Sequence, residues 1–144
     1  MSKIWCMKLF IDANVVLDLI LKRQPFFDNI AEIVTIAENK NFKLCLSSVT
    51  FVNINYIACK FSDKKNVLES LKKLRILFDV LSVSQIEIEK ALYSKFNDFE
   101  DAVQHYCAIK YNCDYIITRN LKDFKNSEIQ VMSPTEFLAS LQKS

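Results

Sequence analysis

The chain has 144 residues, of which 51% are hydrophobic and 25% charged, with a formal net charge of +2. That is enough chain to bury a core and too little charge to argue for nucleic acid by itself. It contains no glycine, which excludes the P-loop and the dinucleotide-binding fingerprint, since both need glycines where backbone closes on a phosphate.

One histidine excludes a His-rich metal site and any mechanism that uses two imidazoles as acid and base. The five cysteines (Cys6, Cys45, Cys59, Cys107, Cys113) form no C-x-x-C pair. Most sit in apolar surroundings, and reduced buried thiols are the expectation. No apolar run is long enough to span a membrane, and "MSKIWCMKLF" lacks an apolar core followed by a small-residue cleavage site. A cytoplasmic location is expected.

In chain order, residues 4–11 are an apolar run suited to a strand buried on both faces. A short helix follows from about Asn14 to Leu21, broken at Pro25. Ile30, Ile33, Val34 and Ala37 mark a second helix. "FKLCLS" reads as a strand, and "SSVTFVNINYIACKF" as a helix despite its β-branched residues. From Lys64 to Leu77, apolar residues at Val67, Leu68, Leu71 and Leu74 are helical in spacing. "FDVLSV" reads as a strand, and Ser84 caps a helix to about Ser94. Asp98 opens another helix, "DYIIT" is a buried strand, "IQVMS" an edge strand, and Pro134 starts a terminal helix. Strands alternating with helices predict one domain over residues 1–144, a three-layer α/β/α sandwich with a mainly parallel central sheet.

In such sheets ligands bind beyond the carboxyl ends of the strands. Asp12 ends the first strand, Thr118, Asn120 and Asp123 follow a later one, and Asp98 and Asp101 open the helix feeding that later strand. Each has a purely structural reading: Asp98 and Asp101 as helix cap and first-turn acid, Asp12 as a cap, Asp123 as a turn residue. Taken jointly, carboxylates from three segments arriving at one edge repel one another unless a cation neutralises them. Oxygen donors without histidine or thiolate suit Mg²⁺ or Mn²⁺.

Four blocks carry a resemblance: "LFIDANVVLDLI", "SSVTFVNINYI", "DFEDAVQHYCAIKYNCDYIITRNLKDF" and "VMSPTEFL". In this order they resemble the PIN domain family, as found in VapC-type toxins, over almost the whole chain. The resemblance implies a Rossmann-like fold with an acidic pocket and a metal-dependent ribonuclease activity. It makes Asp12, Asp101, Asp98 and Asp123 the catalytic and metal-holding residues. Asn14, Thr118 and Asn120 would support them, the last two as the T-x-[DN] element. Many members carry glutamate three residues after the serine or threonine of the middle helix; counting from Thr50 reaches Asn53, which is expected to point inward.

Arg23, Arg119 and His105 are candidate substrate contacts, and the basic stretch Lys64–Arg75 is a candidate for phosphate contacts. Toxin status would add RNA as substrate, a small antitoxin partner and a homodimer, with Leu17, Leu21 and Phe26 as interface candidates. An uncharged Asn53 leaves a second reading, a catalytically weak RNA-binding module. A phosphatase acting through an aspartyl-phosphate is disfavoured because Asn14 breaks the D-x-D element.

Overall fold

The computed structural model describes residues 7–142. Its centre is a five-stranded sheet in the order β3-β2-β1-β4-β5, built from β1 (Lys8–Ile11), β2 (Lys43–Ser47), β3 (Phe78–Leu81), β4 (Tyr115–Ile117) and β5 (Gln130–Met132). Each neighbouring pair is parallel. The expected first strand starts at Lys8; residues 4–6 and Cys6 lie outside the described residues. Strand β5 is an edge, as its sequence suggests.

Among the described residues six helices connect the strands, α1 (Ala13–Ile20), α2 (Phe27–Lys40), α3 (Ser48–Ala58), α4 (Lys64–Leu77), α5 (Gln85–Leu92) and α6 (Phe99–Lys110), and α7 (Pro134–Leu141) follows the last strand. A 3₁₀ turn at Leu121–Phe124, which the sequence pattern does not mark, follows β4. Side chains alternate across each strand, and this divides the core. Leu9, Ile11, Leu44, Leu46 and Ile117 face a layer formed by α1, α2, α3, α4 and α7. Phe10, Cys45 and Ile116 face the opposite layer, with Cys107 and Ala108 of α6 and with Phe124. Helix α5 packs on α6 through Ala91, Ala102 and Val103. The result is an α/β/α sandwich.

Helix boundaries follow the caps. Ser47 Oγ accepts from Thr50 N at 3.0 Å to start α3. Ser84 with Glu87 and Ser133 with Glu136 form capping boxes at α5 and α7. Glycine usually supplies the left-handed residue that ends a helix. Here Asn41 (φ 59°) and Asn112 (φ 58°) take that place after α2 and α6; asparagine is the residue best able to stand in for glycine there. Cys45, Cys107 and Cys113 are buried and unpaired, and burial pushes the Cys107 thiol up to about 12.

The order of the strands sets the position of everything that follows. From β1 the chain builds outward to β2 and β3, then returns to place β4 on the other side of β1. Beyond the carboxyl ends of β1 and β4 a crevice therefore opens, at the point where the direction of winding reverses.

Helix α3 buries a narrow stripe, Thr50, Ile54 and Ala58, while Val52 and Tyr56 are each 68% exposed. Replacing Ile54, which is fully buried, with alanine is expected to cost about 2–5 kcal/mol in urea unfolding. Val52→Ala on the same helix is expected to stay within about 0.5 kcal/mol. Equal costs at the two positions would show that the stripe does not anchor the helix.

Candidate active site

Asp12 is the residue after β1. Its backbone N–H extends the ladder to Ile117 O at 2.9 Å, and its carbonyl accepts from Val15 N and Val16 N, so it occupies the capping position of α1. Its side chain does not cap. The carboxylate is 4% exposed and turns toward β4 and α6 instead. Thr118 Oγ1 donates to Asp12 Oδ2 at 2.8 Å, and Gln104 Nε2 donates to Asp12 Oδ1 at 2.9 Å.

Gln104 was not singled out by the sequence reading. It is buried on α6, one turn after Asp101, and it bridges. Besides Asp12, its Nε2 lies 3.4 Å from Asp101 Oδ1, and its Oε1 accepts from Ala13 N at 3.1 Å. That last bond satisfies one of the unpaired N–H groups at the start of α1, a task the capping side chain performs elsewhere. The available signal was its spacing, three residues beyond Asp101 and so on the same helix side.

The other predicted acids approach from their own segments. Asp98 caps α6, its Oδ1 accepting from Asp101 N at 2.9 Å; the structural reading of Asp98 is thus realised, and one of its oxygens is engaged by the backbone. Asp123 stands exposed on the 3₁₀ turn. The charges of these residues are felt at one point. Asp101 is pushed from its ordinary 3.8 up to about 7, first by loss of solvent and then by the negative charges of Asp12, Asp98, Asp123 and Glu100. Asp12 is also raised: burial outweighs the hydrogen bonds from Gln104 and Thr118, and Asp123 adds repulsion.

None of the ion pairs among the described residues involves these acids. Their repulsion is therefore uncompensated by protein cations. That charge pattern and an all-oxygen donor set fit a hard divalent cation. Among the described residues no three carboxylates, thiols or imidazoles form a ready-made cage. Mg²⁺ commonly retains waters and recruits substrate phosphates instead of being enclosed by protein. Thr118 Oγ1 also accepts from Asn120 N at 3.1 Å, which fixes the turn that carries Asp123. Asn14 lies exposed in the first turn of α1.

Several expectations need correction. His105 is fully buried, its Nε2 accepting from Glu128 N at 3.0 Å and its ring packed on Phe96. Burial holds its pKa below the ordinary value. It ties α6 to the segment before β5 and is closed to substrate, because α6 runs from the site into the core. Asn53 is exposed, not inward, and its Nδ2 donates to Glu100 Oε2 at 2.8 Å. Leu17 is 2% exposed and so unavailable to a partner.

Arg23 and Arg119 are not free basic arms. Both are held by Asp18, which is 1% exposed: Arg23 Nε at 2.9 Å, Arg119 Nε at 2.7 Å and Arg119 Nη2 at 3.3 Å. The Arg119 guanidinium also lies 3.9 Å from the centre of the Phe26 ring. Asp18 interrupts the apolar helix "ANVVLDLI", and a charge inside such a run was the signal for a buried ion pair.

Two measurements check this geometry. Gln104→Leu leaves Ala13 N and one Asp12 oxygen without their partner, and is expected to lower stability by about 1–3 kcal/mol; no loss would mean the bridge is not formed. Second, Asp101 binds its proton more tightly in the folded than in the unfolded chain. Its contribution is therefore present at acid pH and lost as pH rises from about 4 through about 7. In EDTA, thermal unfolding is expected at a lower temperature at pH 8 than at pH 5.5, with the difference reduced in Asp101→Asn. An unchanged pH response in that variant would show that Asp101 does not feel its neighbours.

Comparison with known proteins agrees with this arrangement. A family model described as a PIN domain matches residues 8–122. Ribonuclease VapC1 of Aquifex aeolicus (strain VF5) is 29% identical over 135 residues, covering 90% of this chain and 92% of that protein. Among solved structures, a DNA-bound VapBC from Salmonella typhimurium superposes with a TM-score of 0.70 at 19% identity, over 89% of this chain and 98% of that one. VapBC-1 from nontypeable Haemophilus influenzae gives 0.67 at 18% identity, over 90% and 99%. With the match running from β1 to the start of the 3₁₀ turn, and so including Asp12, Asp98 and Asp101, the chain belongs to the PIN domain family.

Proposed function

We propose that the protein is a metal-dependent endoribonuclease, the toxin of a toxin–antitoxin pair, acting at the Asp12–Asp101 crevice. The observation that carries this reading is that Gln104 bridges the carboxylates of Asp12 and Asp101 at the strand ends, in the helix turn that Asp98 caps, with no protein cation paired to any of the three among the described residues. The likeness to Ribonuclease VapC1 supplies the choice of RNA.

Asp12 and Asp101 would hold Mg²⁺ or Mn²⁺, with Asp123 on the 3₁₀ turn contributing further negative charge. Asp98 adds charge while capping α6. When bound, the cation supplies Lewis-acid stabilisation of a phosphoryl oxygen and lowers the pKa of a coordinated water. The chain's own part is positional. Thr118 and Gln104 fix the two Asp12 oxygens, so the carboxylate cannot rotate away from the crevice. Asn120 and Asn14 are uncharged and exposed beside it, and would meet water or ribose by hydrogen bonds.

A depression of about 550 Å³ lined by Arg119, Asn120, Leu121, Lys122 and Asp123 opens next to the acids. It offers a path for an RNA backbone past Lys122 and the outer edge of Arg119. Since Asp18 holds Arg23 and Arg119 together, the three carry a net positive charge that stays rigid, which suits phosphate attraction better than direct rearrangement onto substrate.

By the same resemblance to VapC-type toxins, a small antitoxin partner and a homodimer belong to this proposal. No helix among the described residues is long and apolar enough to cross a membrane.

Cleavage of a mixed RNA panel in Mn²⁺ or Mg²⁺, stopped by EDTA, tests the reading. Asp12→Asn and Asp101→Asn are each expected to reduce the rate by about a hundredfold or more, in line with the several kcal/mol a catalytic cation supplies. Both variants remove a disfavoured charge and are expected to fold. RNA binding without cleavage by the unaltered chain, in either metal, would replace the enzyme with the binding module.

A further inference from the structure

Within the proposed site, one position that would be expected to carry charge is neutral. Asn53 projects from α3 toward the first turn of α6, where its amide Nδ2 meets Glu100 Oε2 at 2.8 Å. Glu100 is half-buried, whereas Asn53 is exposed. A glutamate in a helix first turn is ordinarily explained by the helix dipole, and Glu100 could satisfy that role with its side chain in solvent. Instead a residue from a different helix, 47 positions away, orients it. Glu100 adjoins Asp101 in the first turn of α6, and Asp101 is joined through Gln104 to Asp12, so the orientation keeps another acid at an edge already occupied by acids. The contact carries no compensating positive charge, since asparagine is neutral.

On the ribonuclease reading above, we propose that Glu100 is a further metal-facing carboxylate of the site, supplying from α6 the charge that Asn53 does not supply from α3, with Asn53 as the residue that orients it. The division follows from donor chemistry. The Asn53 amide has donor N–H groups and one neutral oxygen; by donating to one Glu100 oxygen it leaves the other available to a cation or to a water on it. An acid is thus held between α6 and α3. The helix of origin has changed; the charge has not.

Mn²⁺ binding, followed by the electron paramagnetic resonance signal of the free ion, separates this from the alternatives without relying on turnover. Glu100→Gln keeps an oxygen to accept from Asn53 and removes only the charge. It is expected to weaken Mn²⁺ binding by about ten- to a hundredfold, the range seen when groups supporting a metal are altered. The exchange variant Asn53→Glu with Glu100→Gln returns the carboxylate to α3 with the amide as its donor, and is expected to recover most of that loss. Circular dichroism melts of each variant establish that the fold persists.

Unchanged affinity in Glu100→Gln, alongside loss in Asp12→Asn, would overturn the role of Glu100 and leave the ribonuclease reading standing. A loss that the exchange does not restore would likewise overturn it, since charge on the α3 side would then not be what the ion requires. No Mn²⁺ binding by the unaltered chain would remove the underlying reading and Glu100 with it.

Discussion

The site depends on a buried carboxylate held from two sides. Asp12 sits where β1 ends and α1 begins, and its oxygens receive Thr118 from the end of β4 and Gln104 from α6. A buried charge without such donors would be strongly unfavourable. These two bonds therefore join three segments that are far apart in sequence, across the point where the sheet reverses its winding. They also fall short of neutralising Asp12, whose proton affinity stays raised because burial outweighs them. The same contact organises the local structure and leaves negative charge unsatisfied in a crevice.

That charge survives because the nearby cations are engaged elsewhere. Arg23 and Arg119 both close on Asp18, and the Arg119 plane rests on Phe26. A guanidinium free to reach Asp12 or Asp101 would form a bidentate pair and seal the crevice. Asp18 thus acts at a distance, by holding two arginines away from the acids. Breaking one partner from such a buried set is costly, so the separation of positive from negative is robust. It sets a positive rim beside a negative centre, which on the proposed function suits a polyanion approaching a cation held by acids.

Much of this was legible in the sequence because strand ends are legible. An apolar run stopped by a bare aspartate, and a second stopped by Thr118 and Asn120, mark the two sides of the crevice through period and punctuation alone. What could not be read was which long side chains meet across segments. Gln104, Asp18 and Glu100 carry no motif; their roles exist only once α1, α3 and α6 are packed. His105 failed for a related reason. It shares a helix face with Asp101, but one turn further along α6 means one turn deeper in the core, where Phe96 and Glu128 claim it. Asn53 was expected to face inward by its helix neighbours Val49, Tyr56 and Ile57, of which Val49 and Tyr56 are themselves exposed and Ile57 is only partly buried. On a helix with apolar residues on nearly every side, periodicity does not identify the buried stripe.

The absence of glycine bears on the chemistry as well as on the fold. The left-handed asparagines Asn41 and Asn112 stand just before β2 and β4, at the sheet edge opposite the crevice. Backbone nests of N–H groups, the usual way for an α/β sheet to hold phosphate, depend on such left-handed turns and on close approach at the ligand. Here the ligand edge presents carboxylates instead. A phosphodiester meeting that edge directly would be repelled, and the acids already repel one another. On the proposed function a divalent cation would relieve both repulsions at once, so its affinity and that of the substrate would each strengthen the other by the same factor. On the proposed function, a site composed in this way would be poor for either component alone, and its selectivity for phosphodiesters would arise from needing both.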